Sequence, residues 1–372
     1  MTRIVIIHFS PVEYYPPLQN LVNVLSESRP AARVDVFTTS GINNMLANFK
    51  SRHPNIRIIR FGKSGKGIYK ALRIYYYALF NLRCLLSLVI NRPSKILYYE
   101  TLSSFPAYFY KRFFNKKIEI YIHYHEYTAP AEYRNGMRLT KLFHKHEHWL
   151  YPHAKWVSHT NEFRMQMFIR DIAPVRINQP KILANYPPKA WLKESLANRS
   201  IPVKIVYIGS LSMDTMYTRE FTKWVVAQNG KVTWDIYSFN ITNEAKVFLE
   251  TLNSEFIYLK DGINYNELPG ILKLYDVGVL LYTGHILNYV FNAPNKLFEY
   301  LVCGLDVWYP EAMQGCKKYD STEAWPKVLS LDFKDLDNYD LNKLMERTKT
   351  TPRFINFNCE DEFSDLIKTI VE

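Results

Sequence analysis

The chain alternates short apolar runs with helical spacings, and then repeats the whole pattern. Residues 4–9, 34–38, 56–61, 96–99, 118–123 and 155–158 read as strands, with helices between most of them and a short helix over 161–171. Strand and helix in alternation imply a parallel, doubly wound sheet, because parallel neighbours need a crossover connection. The adjacent prolines of Tyr186-Pro187-Pro188 and the polar stretch through Ser200 break the pattern and mark a linker. Strand-like runs resume at 204–208, 232–237, 256–259 and 277–282. The expected organisation is a first α/β domain over 1–190, a linker over 191–202, a second α/β domain over 203–358 and a C-terminal helix over 359–372. Open parallel sheets bind ligands at the carboxyl ends of their strands, so two sheets facing each other are expected to share a central cleft.

A chain of 372 residues is long for one domain and comfortable for two. With 48% hydrophobic and 22% charged residues the composition is globular, and no long disordered span is expected. Cys84, Cys303, Cys316 and Cys359 are far apart and form no Cys-x2-Cys pair, which argues against both a zinc site and a disulfide framework. The apolar run at residues 4–9 is too short for a signal peptide, so a cytoplasmic protein is expected.

The net charge of +12 calls for an anionic partner. Lys63, Lys66, Lys70, Arg73, Arg83, Arg92 and Lys95 punctuate a run rich in Leu, Ile and Tyr, a pattern that suits a helix lying on an anionic membrane surface. The alternative for residues 71–90 is a core-packing helix with a basic outer face. A clean transmembrane span is excluded by Arg73, Asn81 and Arg83. Nucleic acid is supported by charge alone and is not expected as a partner.

Within the second repeat, residues 276–282 form an apolar run, 283–292 are polar, and a helix follows over Pro294-Asn295-Lys296-Leu297-Phe298-Glu299-Tyr300-Leu301-Val302-Cys303-Gly304. Asn292 is the expected cap, Pro294 suits the first turn and Gly304 the stop. Free amides and the positive dipole end make a helix start an anion site, to which Lys296 adds a full charge. Glu299 lies three residues on, on the same face, where it can accept hydrogen bonds from vicinal hydroxyls. Phosphate beside a diol describes a nucleotide. A solvated ion pair between Lys296 and Glu299 is the plain alternative.

This segment resembles the retaining nucleotide-sugar glycosyltransferases of GT-B fold, group 1, in the form found among surface-polysaccharide enzymes. That family carries Glu-x7-Glu followed by a small residue, Gly-x-Pro-Val. Glu299 matches the second Glu, and Gly304-Leu305-Asp306-Val307 matches the tail with Asp306 in place of Pro. Phe291 stands where the first Glu belongs. The resemblance implies a GT-B architecture, two Rossmann-like domains with parallel sheets facing a central cleft, and a C-terminal helix crossing back to the first domain. It also implies donor contacts at Asn295, Lys296, Leu297 and Glu299, with no metal and no further cofactor beyond the nucleotide-sugar substrate.

By the same resemblance the run Ile122-His123-Tyr124-His125-Glu126 places His125 near the donor sugar, and His125 and Glu126 are the expected catalytic residues. Gly209 and Ser210, after the first strand of the second repeat, are expected to contact the diphosphate. Gly262 and Ile263 are expected to contact the base. Glu13, Tyr14 and Tyr15, in a first βα turn without a glycine cradle, are the expected acceptor contacts. His144-Lys145-His146-Glu147-His148 is dense in metal-ligand types but lacks His-Glu-x-x-His, and it reads as a solvated helix face.

The expected function is transfer of a sugar from a nucleotide-diphosphate donor to a glycan or lipid-linked acceptor, at the cytoplasmic face of a membrane. The alternative is a non-catalytic nucleotide-sugar-binding or scaffold protein with a GT-B shell.

Overall fold

The computed structural model describes residues 2–28, 31–41, 48–65, 67–135, 138–193, 201–323, 325–346 and 356–371. Lys66 and positions 194–200 of the expected linker lie outside the described residues. The chain forms two compact units, Met1–Asn185 with Cys359–Glu372, and Tyr186–Asn358.

The first unit holds β1 (Arg3–Ile7), β2 (Arg33–Ser40), β3 (Ile56–Lys63), β4 (Lys95–Tyr99), β5 (Glu119–Tyr124), β6 (Trp156–His159) and β7 (Pro180–Ile182). All pair in parallel, in the order β3-β2-β1-β4-β5-β6-β7. Side chains alternate across a strand, and here both faces are apolar. Ile4 and Ile6 pack with Leu18, Leu21 and Leu25 of the helix Pro16–Glu27. Val5 and Ile7 pack on the other face with Phe80, Cys84 and Leu88 of the helix Lys70–Asn91. The C-terminal segment belongs to this unit: Phe363, Leu366 and Ile370 join the first cluster. Lys95 Nζ (2.9 Å) and the Tyr121 hydroxyl (3.0 Å) both donate to the Thr369 carbonyl.

The second unit holds β8 (Val203–Ile208), β9 (Val232–Ser238), β10 (Ile257–Asp261), β11 (Val277–Val279), β12 (Asp306–Pro310) and β13 (Val328–Leu331), again all parallel, in the order β10-β9-β8-β11-β12-β13. The helix Asn295–Val302 lies over the sheet through Leu297, Tyr300 and Leu301, in one cluster with Val206, Val307 and Tyr309. Gly278 of β11 makes that approach possible. A Cβ there would fall 2.1 Å from the Tyr300 ring. Gly304 ends the helix at a φ of 83°, a conformation glycine adopts without strain.

Several expectations need correction. The sequence pattern missed β7, β12 and β13: Pro180–Ile182 closes the edge of the first sheet, and Asp306-Val307, which matches the motif tail, opens a strand. Asn292 does not cap the motif helix. Pro294 occupies the cap position without a side-chain hydrogen bond, while the Asn292 carbonyl faces Cys316 Sγ at 3.4 Å. The 144–148 stretch is not simply a solvated face. Glu147 is fully buried and accepts from the hydroxyls of Tyr98 (3.0 Å) and Tyr124 (2.6 Å), so three elements converge on it. The helix Lys70–Asn91 carries its basic residues among apolar ones: Leu72, Ile74, Tyr75, Leu82, Leu86 and Ile90 are all exposed alongside Arg73 and Arg83.

Gly278→Ala is expected to destabilise the second unit by about 1–3 kcal/mol, because the added methyl must displace a fully buried tyrosine ring. A chemical denaturation curve of the variant against the native chain measures the loss, and an unchanged midpoint would refute the close approach.

Candidate functional site

In the first unit the carboxyl ends of β1, β4 and β5 meet around a pocket of about 310 Å³. His8 follows β1, Glu100 follows β4, and Glu126 lies just beyond β5, all lining it together with Tyr15 and Tyr133. His125 sits beside this wall. Its ring stacks on Tyr99 (centroids 5.2 Å apart) and meets the Tyr15 ring edge-on at 4.3 Å. His125 Nδ1 lies 3.0 Å from Asn185 Oδ1, an atom that can only accept, so the ring proton is on Nδ1. Nε2 is buried and has no partner among the described residues. Burial holds His125 well below the usual histidine range, helped by His123 and His8 beside it. His125 is therefore a neutral ring with a bare acceptor nitrogen, suited to orienting a hydroxyl rather than carrying charge.

Glu100 is the residue sequence reasoning missed. Its Oε1 accepts from the amides of His125 (2.7 Å) and Glu126 (3.3 Å) and from the Tyr15 hydroxyl (3.2 Å). Its backbone is held at a φ of 62°, costly for a residue with a Cβ. Burial, and then the nearby Glu126 carboxyl, push the Glu100 carboxyl up to about 8. The signal was present in Tyr98-Tyr99-Glu100-Thr101, where an acid stands at the carboxyl end of an apolar run.

The three expected acceptor contacts part company. Tyr15 lines the pocket, and Tyr14 is exposed. The Glu13 carboxylate is bound to Arg60 and to the Phe49 amide (3.0 Å), so it is engaged in holding the chain around residue 49.

In the second unit the helix start brings Lys296 and Glu299 together as read. Lys296 Nζ lies 2.5 Å from Glu299 Oε2, and the Glu299 side chain is fully buried while that of Lys296 is 22% exposed. This is not the solvated pair of the plain alternative. Glu299 Oε1 is buried without a partner among the described residues, an arrangement that costs free energy until a donor meets it. The Leu297 amide closes onto the Pro294 carbonyl at 3.0 Å, and its side chain is core. The amides of Asn295 and Lys296, at the first two helical positions, have no helix acceptor. The Gly209 amide donates to the Tyr237 carbonyl at 3.1 Å, so of the expected diphosphate turn only Ser210 is exposed, its Oγ accepting from Asn240 at 3.0 Å. Gly262 accommodates the Phe239 ring, which a Cβ would approach to 2.3 Å, and Ile263 is half-buried beside it in the chain. Among the described residues no group of three His, Cys, Asp or Glu could hold a metal ion.

No family model matches the sequence, and no curated relative matches it. Solved structures do. Sucrose-phosphate synthase from Thermosynechococcus elongatus is similar at a TM-score of 0.67 and 14% identity, covering 100% of this chain and 96% of its own. The lipopolysaccharide outer core galactosyltransferase WaaB in its apo form is similar at 0.62 and 11% identity, with 99% of each chain covered. The UDP-GlcNAc 2-epimerase from Neisseria meningitidis bound to UDP-GlcNAc is similar at 0.56 and 10% identity, with 100% of each covered. The fold class is thus GT-B: two Rossmann-like units with parallel sheets of seven and six strands, alike over the full length.

Removing one partner of a buried pair strands the other's charge. Lys296→Ala is expected to lower stability by about 2–4 kcal/mol, whereas the double variant Lys296→Ala with Glu299→Leu recovers most of that loss. Denaturant melts of the two variants measure the difference, and equal losses would refute the coupling.

Proposed function

We propose that the protein is a glycosyltransferase that moves a sugar from a nucleotide-diphosphate donor to a glycan or lipid-linked acceptor, with retention, in cell-surface polysaccharide biosynthesis. One observation carries the reading: the helix start Asn295–Val302 offers two amides without a helix acceptor and a lysine beside a buried carboxylate whose Oε1 has no partner among the described residues. A diphosphate satisfies the amides and Lys296, and a ribose hydroxyl satisfies Glu299 Oε1. Ser210, Gly262 and Ile263 complete the donor contacts in this reading. The leaving diphosphate is stabilised by Lys296 and the helix amides, so the reading calls on no metal ion. His125, neutral with Nε2 free to accept, orients a sugar hydroxyl, and Glu126 lies next to it.

The location we propose is the cytoplasmic face of an anionic membrane. The exposed Ile74, Leu82, Leu86 and Ile90, with Arg73 and Arg83 among them, lie on a helix that touches the segment Tyr110–Phe114, where Phe113 and Phe114 are also exposed. Apolar side chains ringed by cations suit a headgroup boundary. Because Phe291 stands where the family's first Glu is expected, a second reading keeps nucleotide-sugar binding without transfer.

Thermal melts of the full chain with UDP, GDP and their sugars test the donor site. One of them is expected to raise the melting temperature, since a ligand of the native state stabilises it. Lys296→Met is expected to weaken that nucleotide by roughly 10–100-fold, the worth of a hydrogen bond from a charged group. No shift with any nucleotide would overturn the reading. Incubating the bound sugar nucleotide with glycan acceptors then separates the alternatives: a new glycoside supports transfer, and an unchanged donor supports binding alone.

A further inference from the structure

The pocket of the first unit has a lining unlike that of a phosphate site. Its polar walls come from hydroxyl groups, Ser10, Thr101, Ser103 and Thr128 among them, and its two acids are Glu100 and Glu126. Among the described residues no lysine or arginine lines it. Such a lining offers an anion no counter-charge among the described residues, so a nucleotide or a free phosphate is disfavoured. Closely spaced hydroxyls beside Phe9 and Tyr15 suit a ligand that presents several hydroxyls and an apolar ring face.

Glu100 stands out within that lining. All three of its hydrogen bonds fall on Oε1, from two amides and the Tyr15 hydroxyl, while Oε2 makes none among the described residues. The backbone is fixed at its unfavourable φ by its own amide, which donates to the His123 carbonyl at 3.1 Å, and by the Ser103 amide, which donates to the Glu100 carbonyl at 2.9 Å. A carboxyl anchored through one oxygen on a strained residue, with the other oxygen left at a pocket wall, is arranged to meet a ligand.

We propose that this pocket is a binding site for an uncharged sugar, and that Glu100 Oε2 is the group that selects for it by hydrogen bonding one sugar hydroxyl. Only in naming that sugar the acceptor does this rest on the transferase reading. With three donors on Oε1, the proton of the neutral acid resides on Oε2, where it donates to a hydroxyl oxygen. Burial is the main cause that keeps the acid neutral up to about pH 8, with Glu126 the second. The other titratable groups facing it are fixed across that range. Burial holds His8 down to about 4 and His125 well below the ordinary histidine value, while Tyr15, Tyr99 and Tyr133 are raised above the ordinary tyrosine value, chiefly by burial.

The sign of the pH effect follows. Below the unfolded value of 4.5 the acid is neutral whether folded or not. Between 4.5 and about 8 the folded chain holds a proton that the unfolded chain has lost, so native stability falls as pH rises through this window. Glu100→Gln removes that fall, and its melting temperature relative to the native chain is expected to climb from pH 5 to pH 8. This ligand-free measurement also shows that the variant folds.

Binding is tested on the full chain by saturation-transfer NMR and calorimetry with the methyl glycosides of glucose, galactose, mannose and N-acetylglucosamine. At least one is expected to bind at pH 6 and to weaken about tenfold at pH 9, as Glu100 ionises. In Glu100→Gln the same glycoside is expected to bind with no such pH dependence, and in Glu100→Ala to lose most of its affinity at both values. Absence of binding by all four glycosides, or the same pH dependence in Glu100→Gln as in the native chain, overturns the proposal. A parallel melt with UDP and GDP keeps the two readings apart: a glycoside profile without nucleotide binding leaves the sugar site standing and removes the transferase, and nucleotide binding without the glycoside profile does the reverse.

Discussion

Parallel pairing is the constraint from which the rest of the molecule follows. Each crossover must return the chain to the end of the sheet where the previous strand began, so all the strand carboxyl ends in a unit emerge together. In the first unit this gathers His8 and Glu100 from the ends of β1 and β4, 92 residues apart in sequence, onto one wall, with His125 from the end of β5 beside it. In the second it sets Ser210 after β8 and the helix start at Asn295 after β11, two adjacent strands. The cores tolerate this because both faces of each sheet are covered: alternate residues of β1 and of β8 enter different apolar clusters.

The polar groups at these ends show where the folded chain leaves free energy unrecovered. Buried polar atoms are nearly always paired, and an exception calls for a reason. His125 Nε2 and Glu299 Oε1 are two exceptions among the described residues, and each belongs to a side chain whose other polar atom is firmly held. One atom fixes the orientation and the other is left to meet something. Glu100 repeats this division of labour on a pocket wall, and its strained backbone shows that local preference yielded to the position. By contrast Glu13 has its donors already, from Arg60 and a backbone amide, and it holds the fold. Glu147 divides its oxygens as Glu299 does: Oε1 takes both tyrosine hydroxyls, and Oε2 is buried without a hydrogen bond among the described residues, 3.7 Å from His144 Nδ1.

Much of the architecture was legible in the sequence because buried parallel strands are apolar without interruption. Runs such as 4–9 and 204–208 announce themselves in this way. The strands that escaped are those in which another signal competes. β7 is three residues beginning at Pro180, β12 opens on a buried aspartate, and β13 lies among turns. Lys296 and Glu299 were legible because helical spacing puts i and i+3 on one face, but the complete burial of Glu299 was not, since burial is set by tertiary packing rather than by spacing along the helix. Glu100 escaped for a related reason. Nothing local distinguishes an acid that ends a strand from an acid in an ordinary turn, and its character comes from Tyr15 and from the amides of His125 and Glu126, which only the fold brings near.

The two sites differ in charge in a way that bears on their ligands. At the second unit's helix start the fixed charge is a lysine with open amides, and the carboxylate is drawn inward and neutralised by it. In the first unit's pocket the acids line the cavity, and a nearby cation, Arg164, donates to the His125 carbonyl at 2.6 Å and to Thr160 at 2.9 Å. In the proposed reading a diphosphate finds counter-charge at the second unit's helix start and none in the first unit's pocket, while an uncharged polyol is indifferent to the field of either and is sorted by hydroxyl geometry alone. Two ligands of unlike charge can then be kept apart without a discriminating contact between them, because the sorting is done by the sign of the groups each strand end presents.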